Sequence, residues 1–524
     1  MSAPPIALVG LPATGKSTVG RRLAEHLGWT FHDTDRVIAE RTGKSTGDAL
    51  SAVGEPRFRE MESEVVNELL QAAQPSVIAC GGGLFAEPVA QQELLDRAWV
   101  VCLDADDETL LRRLGDAADR PLVRGDRVAN LARCRTQRRA AYARAHLRVD
   151  ARGDLESVAC SLVSLADAAR VGTGGAAYPV IVEPGATDWL ERHLPAACSQ
   201  VVIICDRTVS VLGRRLRSRL RQSGYRAHLL SVAGGETAKS WAVAGRLLER
   251  AAEAGIGRQD CIVAVGGGSI GDLAGFVAAT LARGTAWITV PTTLLAMVDS
   301  AIGGKTGVNL AAGKNLAGAF WQPRAVLADP TVLDTLPRRE LLSGLGEVAK
   351  YAMIDPSEEL PAILDGALPR LLAFHVESLA LIIERCAGMK AAVVTADSQE
   401  QGLRAVLNYG HTVAHALEAV AGYGELTHGE AVAAGMRVAG ALSIAHSGCP
   451  EGDIAWQNRL LDGIGFSPTP AVGVDSVLQR LGHDKKAVAG QPRWVLLQRR
   501  GTVRLGEVVA ESVVRRELME VLSG

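Results

Sequence analysis

The run Gly10-Leu-Pro-Ala-Thr-Gly15-Lys16-Ser17 constrains this chain more than any other. It has the form G-x-x-x-x-G-K-[ST] and lies between an apolar run at residues 6–9 and an amphipathic stretch at 18–27. In that setting the glycines form a strand-to-helix turn whose backbone N–H groups wrap a polyphosphate, and the helix N-terminus adds positive potential. Lys16 reaches the terminal phosphates and Ser17 offers an oxygen to magnesium. A glycine turn with an unrelated lysine would lack the strand and helix on either side. Further short apolar runs at 77–79 and 100–103 alternate with amphipathic segments, which predicts a parallel sheet covered by helices.

A chain of 524 residues exceeds what one hydrophobic core serves, so several domains are expected. Periodicity stops at residues 171–177, Val-Gly-Thr-Gly-Gly-Ala-Ala, where a flexible linker is expected. The β/α alternation resumes at 180–182, 201–205, 228–231 and 261–265, whereas from about Arg338 the patterns turn helical, including 371–392 and 406–421, until 494–497. The boundaries expected are 1–170, a linker at 171–177, then 178–337 and 338–524. Lys+Arg 56 nearly cancels Asp+Glu 58, which argues against nucleic acid or an anionic membrane as a partner. Nine cysteines without a C-x-x-C pair suit reduced thiols. With no export signal and no apolar run of the ~20 residues that cross a bilayer, the expected location is the cytoplasm.

A phosphate loop names only a nucleotide-binding class, and the acceptor must be read from residues farther along the chain. Asp33-Thr-Asp35, Gly54-Glu55-Pro-Arg57-Phe58-Arg59-Glu60-x-Glu62, Gly81-Gly82-Gly83, Arg120-Pro121-Leu122 and Arg138-x-x-x-Tyr142 occur in the order and spacing of shikimate kinase. Residues 5–165 resemble that family. The resemblance implies a P-loop kinase domain in which Gly10, Gly15, Lys16, Ser17 and Thr18 hold ATP, Ser17 and Asp33 lie at magnesium, and Arg120 belongs to a lid over ATP. It also implies that Asp35 meets the reacting hydroxyl of shikimate, Arg59 and Arg138 clamp its carboxylate, and the Gly82 backbone approaches it. Taken singly, each side chain has a structural reading, as a solvated helix charge or a cap. Ala13 departs from the family, which usually has glycine there, and would be strained if that position needs a positive φ.

A second constellation begins at Gly266-Gly267-Gly268-Ser-Ile-Gly271-Asp272, after the apolar run 261–265 and before a helical pattern. Its glycines could bring backbone against a pyrophosphate. Three loops dense in small and cationic residues come next: Val290-Pro-Thr292-Thr293 through Asp299-Ser300, Gly303-Gly304-Lys305, and Gly313-Lys314-Asn315. Metal-binding side-chain types then gather at Glu347 and Lys350, at Asn408-Tyr-Gly-His411-Thr-Val-Ala-His415, and at His428-Gly-Glu430. His411 and His415, four apart, share a helix face. A single histidine is more often a satisfied surface or core residue, and the pair alone leaves the ligand set open.

The full series, with Gly235-Glu236-x-x-Lys239-Ser240 and the terminal His483-Asp484-Lys485-Lys486, resembles 3-dehydroquinate synthase across residues 178–524. This implies a Rossmann-like α/β domain followed by a mostly α-helical domain, with zinc (or cobalt) held by Glu347, His411 and His428. It implies NAD at Glu236, Lys239, Gly267, Gly268, Asp272, Thr292 and Thr293. The sugar-acid phosphate would lie among Asp299, Lys305, Lys314, Asn315, Lys350, Lys390, Glu400, Arg404, Asn408, His415 and Lys486. Arg283 would come from a neighbouring subunit of a homodimer formed through this half. The implied chemistry oxidises a secondary alcohol, expels phosphate and reduces the ketone again, so NAD ends unchanged.

Three alternatives stay open on sequence alone. A metal-dependent polyol dehydrogenase shares the fold but would have little use for so many cations. A cyclase for another sugar phosphate shares the glycine and metal motifs. The N-terminal part could instead be a regulatory nucleotide module, although Asp35, Arg59, Gly82 and Arg138 are all present.

Overall fold

The computed structural model describes residues 3–72, 74–114, 126–142, 144–160, 162–166, 169–173, 176–311, 313–400, 402–422, 425–466, 472–482 and 492–523. The chain divides into two compact units, one of residues 1–168, 172–181 and 188–198, the other of 169–171, 182–187 and 199–524.

In the first unit, strands β1 (Ile6–Val9), β2 (Thr30–Asp33), β3 (Ser76–Ala79), β4 (Trp99–Asp104) and β5 (Leu147–Asp150) form a parallel sheet in the order β2-β3-β1-β4-β5. Every residue of β1 and β3 is buried. That explains their unbroken apolar sequences, because a central parallel strand is covered on both faces. At the carboxyl end of β1 the chain turns into helix Lys16–Leu27, whose Val19, Leu23 and Ala24 pack inward. The phosphate loop is therefore held at the centre of the sheet, where open α/β sheets bind their ligands.

The described residues of the stretch expected as a linker, 171–173 and 176–177, lie in strands. They contribute to β6 (Ala169–Thr173) and β7 (Ala176–Val182), with Val171 and Tyr178 buried. Glycine, alanine and threonine gave no side-chain periodicity to read, but strand pairing draws on backbone N–H and C=O groups that every residue but proline carries.

In the second unit, β8 (Gln200–Asp206), β9 (Arg226–Val232), β10 (Cys261–Gly266), β11 (Ala286–Pro291) and β14 (Val326–Ala328) are parallel and adjacent in the order β14-β11-β10-β8-β9 within a sheet of seven. Between β11 and β14 the chain makes an antiparallel hairpin of β12 (Lys305–Leu310) and β13 (Gly313–Phe320). Helices dominate from Arg338–Ile354 onward, and β15 (Trp494–Arg499) pairs with β16 (Thr502–Glu507) before helix Glu511–Ser523. The two long helical patterns are each interrupted. The first breaks at Phe374, which has φ 59, before helix Val376–Ala396 starts under a cap from His375. The second is a short 3-10 segment, Leu403–Asn408, then helix His411–Ala421, separated by Gly410 at φ 79. That break sets His411 at a helix start. Among the described residues, no helix is long and apolar enough to cross a membrane.

Candidate active sites

In the first unit, the phosphate loop lines a cleft of about 1030 Å³ that also receives Asp33, Asp35, Arg59, Glu62, Gly82 and Arg138. Lys16 folds back over the loop, its ammonium donating to the carbonyls of Gly10 (3.0 Å) and Leu11 (3.1 Å). Ser17 donates to Asp33 at 2.6 Å, so the two expected magnesium residues already meet. Asp33 also caps the next helix, accepting from the Asp35 backbone at 3.1 Å. The cap reading of Asp33 is thus observed.

The glycine triplet is packed against the acceptor residues one by one. A Cβ on Gly81 would come 2.7 Å from Asp35 and 2.8 Å from Glu62, one on Gly82 would come 3.3 Å from Arg138, and one on Gly83 would collide with Arg59. Side chains there would fill the space where the acceptor residues converge. Arg59 donates to the buried Glu62 at 2.6 Å. Burial pushes the Glu62 carboxyl up, against the pull of Arg59. Nη1 of Arg138 is buried without a hydrogen-bond partner, which suits an anion, since unpaired buried donors are costly, whereas Nε of Arg59 lies 3.7 Å from Glu87. Gly10 (φ 143) and Gly15 (φ 93) take left-handed or extended positive-φ conformations, and Ala13 does so as well at φ 66.

In the second unit, Gly267 and Gly268 form the start of helix Gly268–Thr280 at the end of β10. The backbone N–H of Thr292 donates to the Gly266 carbonyl at 3.0 Å. A Cβ on Gly267 would sit 3.0 Å from Thr293 and one on Gly268 2.5 Å from Ser300, which brings the next loop against the glycines. Asp272, on that helix, is paired with the buried Lys239. Asn309 of the hairpin donates to Glu236 at 2.6 Å, and Lys314 lies 3.9 Å from the same carboxylate. Lys305 pairs with Glu400 at 2.6 Å. Asn315 is exposed at φ 56, its backbone N–H donating to Asn309 at 3.0 Å.

Deeper in the unit, Asp299 is the hub of a cation cluster. Lys390 stands 2.8 Å and Lys350 3.9 Å from its Oδ1, and the Tyr351 hydroxyl donates to it at 2.9 Å. Burial opposes ionisation of Asp299, but Lys390 and Lys350 hold it at about 2. Burial lowers Lys390 to about 8 in spite of Asp299. Arg404 is buried beside Gly303, where a Cβ would strike its guanidinium, and Asn408 is half-buried at the end of the same 3-10 segment.

Glu347, His411 and His428 converge. Oε1 of Glu347 lies 3.1 Å from Nε2 of His411 and 3.0 Å from Nε2 of His428. The His415 ring stands edge to face with His411, centroids 5.6 Å apart, and adds no atom to that group. Burial disfavours charge on Glu347, yet Lys350 and the two imidazoles keep it well below the carboxylate range. Arg120 and Lys486 lie outside the described residues. Arg283 is exposed at φ 60, and its backbone carbonyl accepts from Arg258 at 3.5 Å.

Comparison with known proteins decides among the readings. The family model described as 3-dehydroquinate synthase N-terminal matches residues 229–343 and the one described as 3-dehydroquinate synthase C-terminal matches 344–487. A 3-dehydroquinate synthase of Rhodopirellula baltica is 41% identical over 360 residues, spanning 66% of this chain and 95% of that protein. One of Pelotomaculum thermopropionicum is 42% identical over 360 residues, spanning 68% and 95%. The chain belongs to the 3-dehydroquinate synthase family. Ahead of that module the shikimate kinase family model matches residues 12–166. The chain is thus a fusion and a bifunctional enzyme of the shikimate pathway, phosphorylating shikimate with ATP and converting 3-deoxy-D-arabino-heptulosonate 7-phosphate to 3-dehydroquinate and phosphate. Its substrates are small molecules.

Among solved structures, a 2-deoxy-scyllo-inosose synthase complexed with carbaglucose-6-phosphate, NAD+ and Co2+ is similar at 28% identity and TM-score 0.62, covering 68% of this chain and all of that one. The 2-epi-5-epi-valiolone synthase ValA of Streptomyces hygroscopicus, with NAD+ and Zn2+ bound, is similar at 26% and 0.60, covering 67% and 98%. The higher identities belong to the dehydroquinate synthases. The synthase unit also holds contacts that motif reading left aside. Tyr351 orients Asp299, and Glu418 lies 3.6 Å from Nδ1 of His428. Positions 411, 415 and 418 fall on one helix face, which was the available signal for Glu418.

Proposed function

We propose that, in the first unit, Gly10, Gly15, Lys16, Ser17 and Thr18 hold ATP, with Ser17 and Asp33 at Mg2+ and Arg120 over the nucleotide. Asp35 accepts the proton of the reacting shikimate hydroxyl, and Arg59 and Arg138 bind the carboxylate beside the Gly82 backbone. The packing of the glycine triplet against Asp35, Arg138 and Arg59 supports this reading. Guanidinium groups suit a planar carboxylate because two N–H donors match its two oxygens.

In the second unit, Glu347, His411 and His428 are the zinc ligands of this reading. One carboxylate and two imidazoles around a common point form a three-ligand set that leaves a position for substrate oxygens. NAD+ is assigned to Glu236, Lys239, Gly267, Gly268, Asp272, Thr292 and Thr293. Bound NAD+ supplies a hydride acceptor that is regenerated, and bound zinc a Lewis acid. The chain's own groups do the rest. Lys305, Lys314, Asn315, Lys350, Lys390, Arg404 and Lys486 neutralise phosphate and carboxylate, Asp299 and Glu400 orient those cations, and Asn408 and His415 hold substrate hydroxyls and their protons. The single observation that carries the assignment is the approach of both Nε2 atoms to one oxygen of Glu347.

The reading also includes a homodimer through the synthase unit, with Arg283 reaching the partner's site. In support, that side chain is exposed and, among the described residues, makes no hydrogen bond or ion pair. The division into 1–170, 178–337 and 338–524 and a cytoplasmic location complete it, the latter supported by nine cysteines without a C-x-x-C pair. The test is chelator treatment followed by dialysis into magnesium alone. Phosphorylation should return and dehydroquinate formation should not, until zinc or cobalt is added. Lys16→Ala and Asp35→Asn should abolish phosphorylation while the synthase persists, and intact kinase turnover in Lys16→Ala would refute the phosphate-loop assignment.

A further inference from the structure

Among the described residues, two groups of three side chains bring metal-binding atoms within 4.8 Å of one another. One is Glu347, His411 and His428. The other is His26, in the last turn of helix Lys16–Leu27, with Glu156 and Cys160 from helix Leu155–Cys160. None of these three lines the nucleotide cleft.

Their geometry is that of one face of a tetrahedral site. Nε2 of His26 lies 2.9 Å from Oε1 of Glu156 and 3.7 Å from Sγ of Cys160, and that Sγ lies 3.6 Å from the same Oε1. Zinc bonds of about 2.0 Å to oxygen and nitrogen and 2.3 Å to sulfur at tetrahedral angles give edges of about 3.3 Å between nitrogen and oxygen and about 3.5 Å from sulfur to each. The two sulfur edges already match, and the nitrogen–oxygen edge needs to open by a few tenths of an ångström. Glu156 and Cys160, four apart, share a helix face. Arg22 holds the other carboxylate oxygen, Oε2, at 2.7 Å and is itself balanced by Glu25 at 2.9 Å. Oε1 is thereby turned toward His26 and Cys160, as outer contacts orient ligating carboxylates. Cys160 is the exposed member of the nine cysteines, so an ion and a fourth, water ligand have access.

We propose that His26, Glu156 and Cys160 form a second metal site, for a divalent transition ion of the zinc and cobalt class. A thiolate and an imidazole select such ions over magnesium or calcium. On binding, the Cys160 thiol gives its proton to solvent, the imidazole binds neutral, and thiolate and carboxylate together cancel the ion's two positive charges. Apparent affinity therefore rises with pH. An ion there ties helix Leu155–Cys160 to the helix that continues from the phosphate loop, so occupancy stabilises the kinase unit.

Cobalt separates this site from the synthase site, because Glu347, His411 and His428 include no sulfur and cannot produce thiolate-to-cobalt charge-transfer absorption in the near ultraviolet. The full chain, stripped by chelator and titrated with Co2+, should bind two equivalents and show that band. Cys160→Ser should bind one equivalent and lack it. His26→Ala and Glu156→Gln should shift the band's titration to at least about tenfold higher cobalt. Kinase activity in magnesium should be unchanged in all three, certifying the fold. One equivalent with no band in the unmodified chain, or a band that survives Cys160→Ser, would overturn the proposal and leave the synthase site untouched.

Discussion

Lys350 sets its ammonium nitrogen 2.6 Å from Oε2 of Glu347, one helical turn away, with both side chains 1% exposed. The opposite oxygen faces His411 and His428, so the carboxylate is shared between a fixed cation and the ligand cluster. Removing one partner of a buried pair leaves an uncompensated charge and costs about 3–5 kcal/mol. Lys350→Met should accordingly lower the melting temperature in chelator and abolish synthase turnover. Zinc restores positive charge beside Glu347, so adding it should raise the variant's melting temperature by more than the wild type's. Equal zinc shifts in a thermal melt would show that Lys350 does not compensate this carboxylate.

His415 and His411 test ligand against substrate residue on one helix face. His411→Ala and His428→Ala should lower bound metal and synthase turnover together. His415→Ala should lower turnover with metal largely retained, because its ring lies beside His411 without joining the converging atoms. Metal analysis of the three purified variants decides it, and equal loss in His415→Ala and His411→Ala would make the helix pair itself the chelating unit.

Much of the chemistry was legible because it sits in short motifs whose backbone context the sequence also specifies. The phosphate loop had an apolar run before it and an amphipathic one after it, and Gly266 to Gly268 ended another apolar run. What the sequence hid were features without a side-chain period or with partners far along the chain. The strands at 169–173 and 176–182 are built partly from Gly, Ala and Thr. Tyr351 is the next residue after Lys350, yet its role depends on Asp299, 52 residues away. Glu62 lies three residues from Arg59, and its burial under the glycine triplet is a tertiary fact.

Lys390 gives the synthase a pH signature. Burial lowers it to about 8 in the folded chain, whereas the unfolded chain keeps that proton to about 10.4. The folded state thus binds fewer protons between those values, so this group's unfavourable contribution is full below about 8 and relieved as pH rises toward 10.4. Anion binding moves the other way, since a neutral amine attracts phosphate or carboxylate poorly. KM for the sugar-acid phosphate should rise above about pH 8 while the kinase KM for shikimate does not change with it. Lys390→Arg, permanently charged, should flatten that limb, and an unchanged limb would assign it to another group.

Ala13 puts a positive φ in the phosphate loop within reach of a measurement. It stands at φ 66, with its methyl against the cluster of Leu11, Leu110 and Leu131. Left-handed backbone costs a residue with a Cβ about 1–2 kcal/mol, whereas glycine would lose about 0.5–1 kcal/mol in extra unfolded-state freedom along with the methyl packing. These effects nearly offset, so Ala13→Gly should change kinase kcat/KM for ATP by no more than about fivefold, the equivalent of about 1 kcal/mol. Ala13→Val adds β-branching in a region where bulky residues are genuine outliers and should raise KM for ATP at least about tenfold. Synthase turnover in the same chain should be unchanged in both, which separates a local loop effect from misfolding. A gain of several orders of magnitude in Ala13→Gly would mean that the alanine disables the loop rather than being accommodated by it.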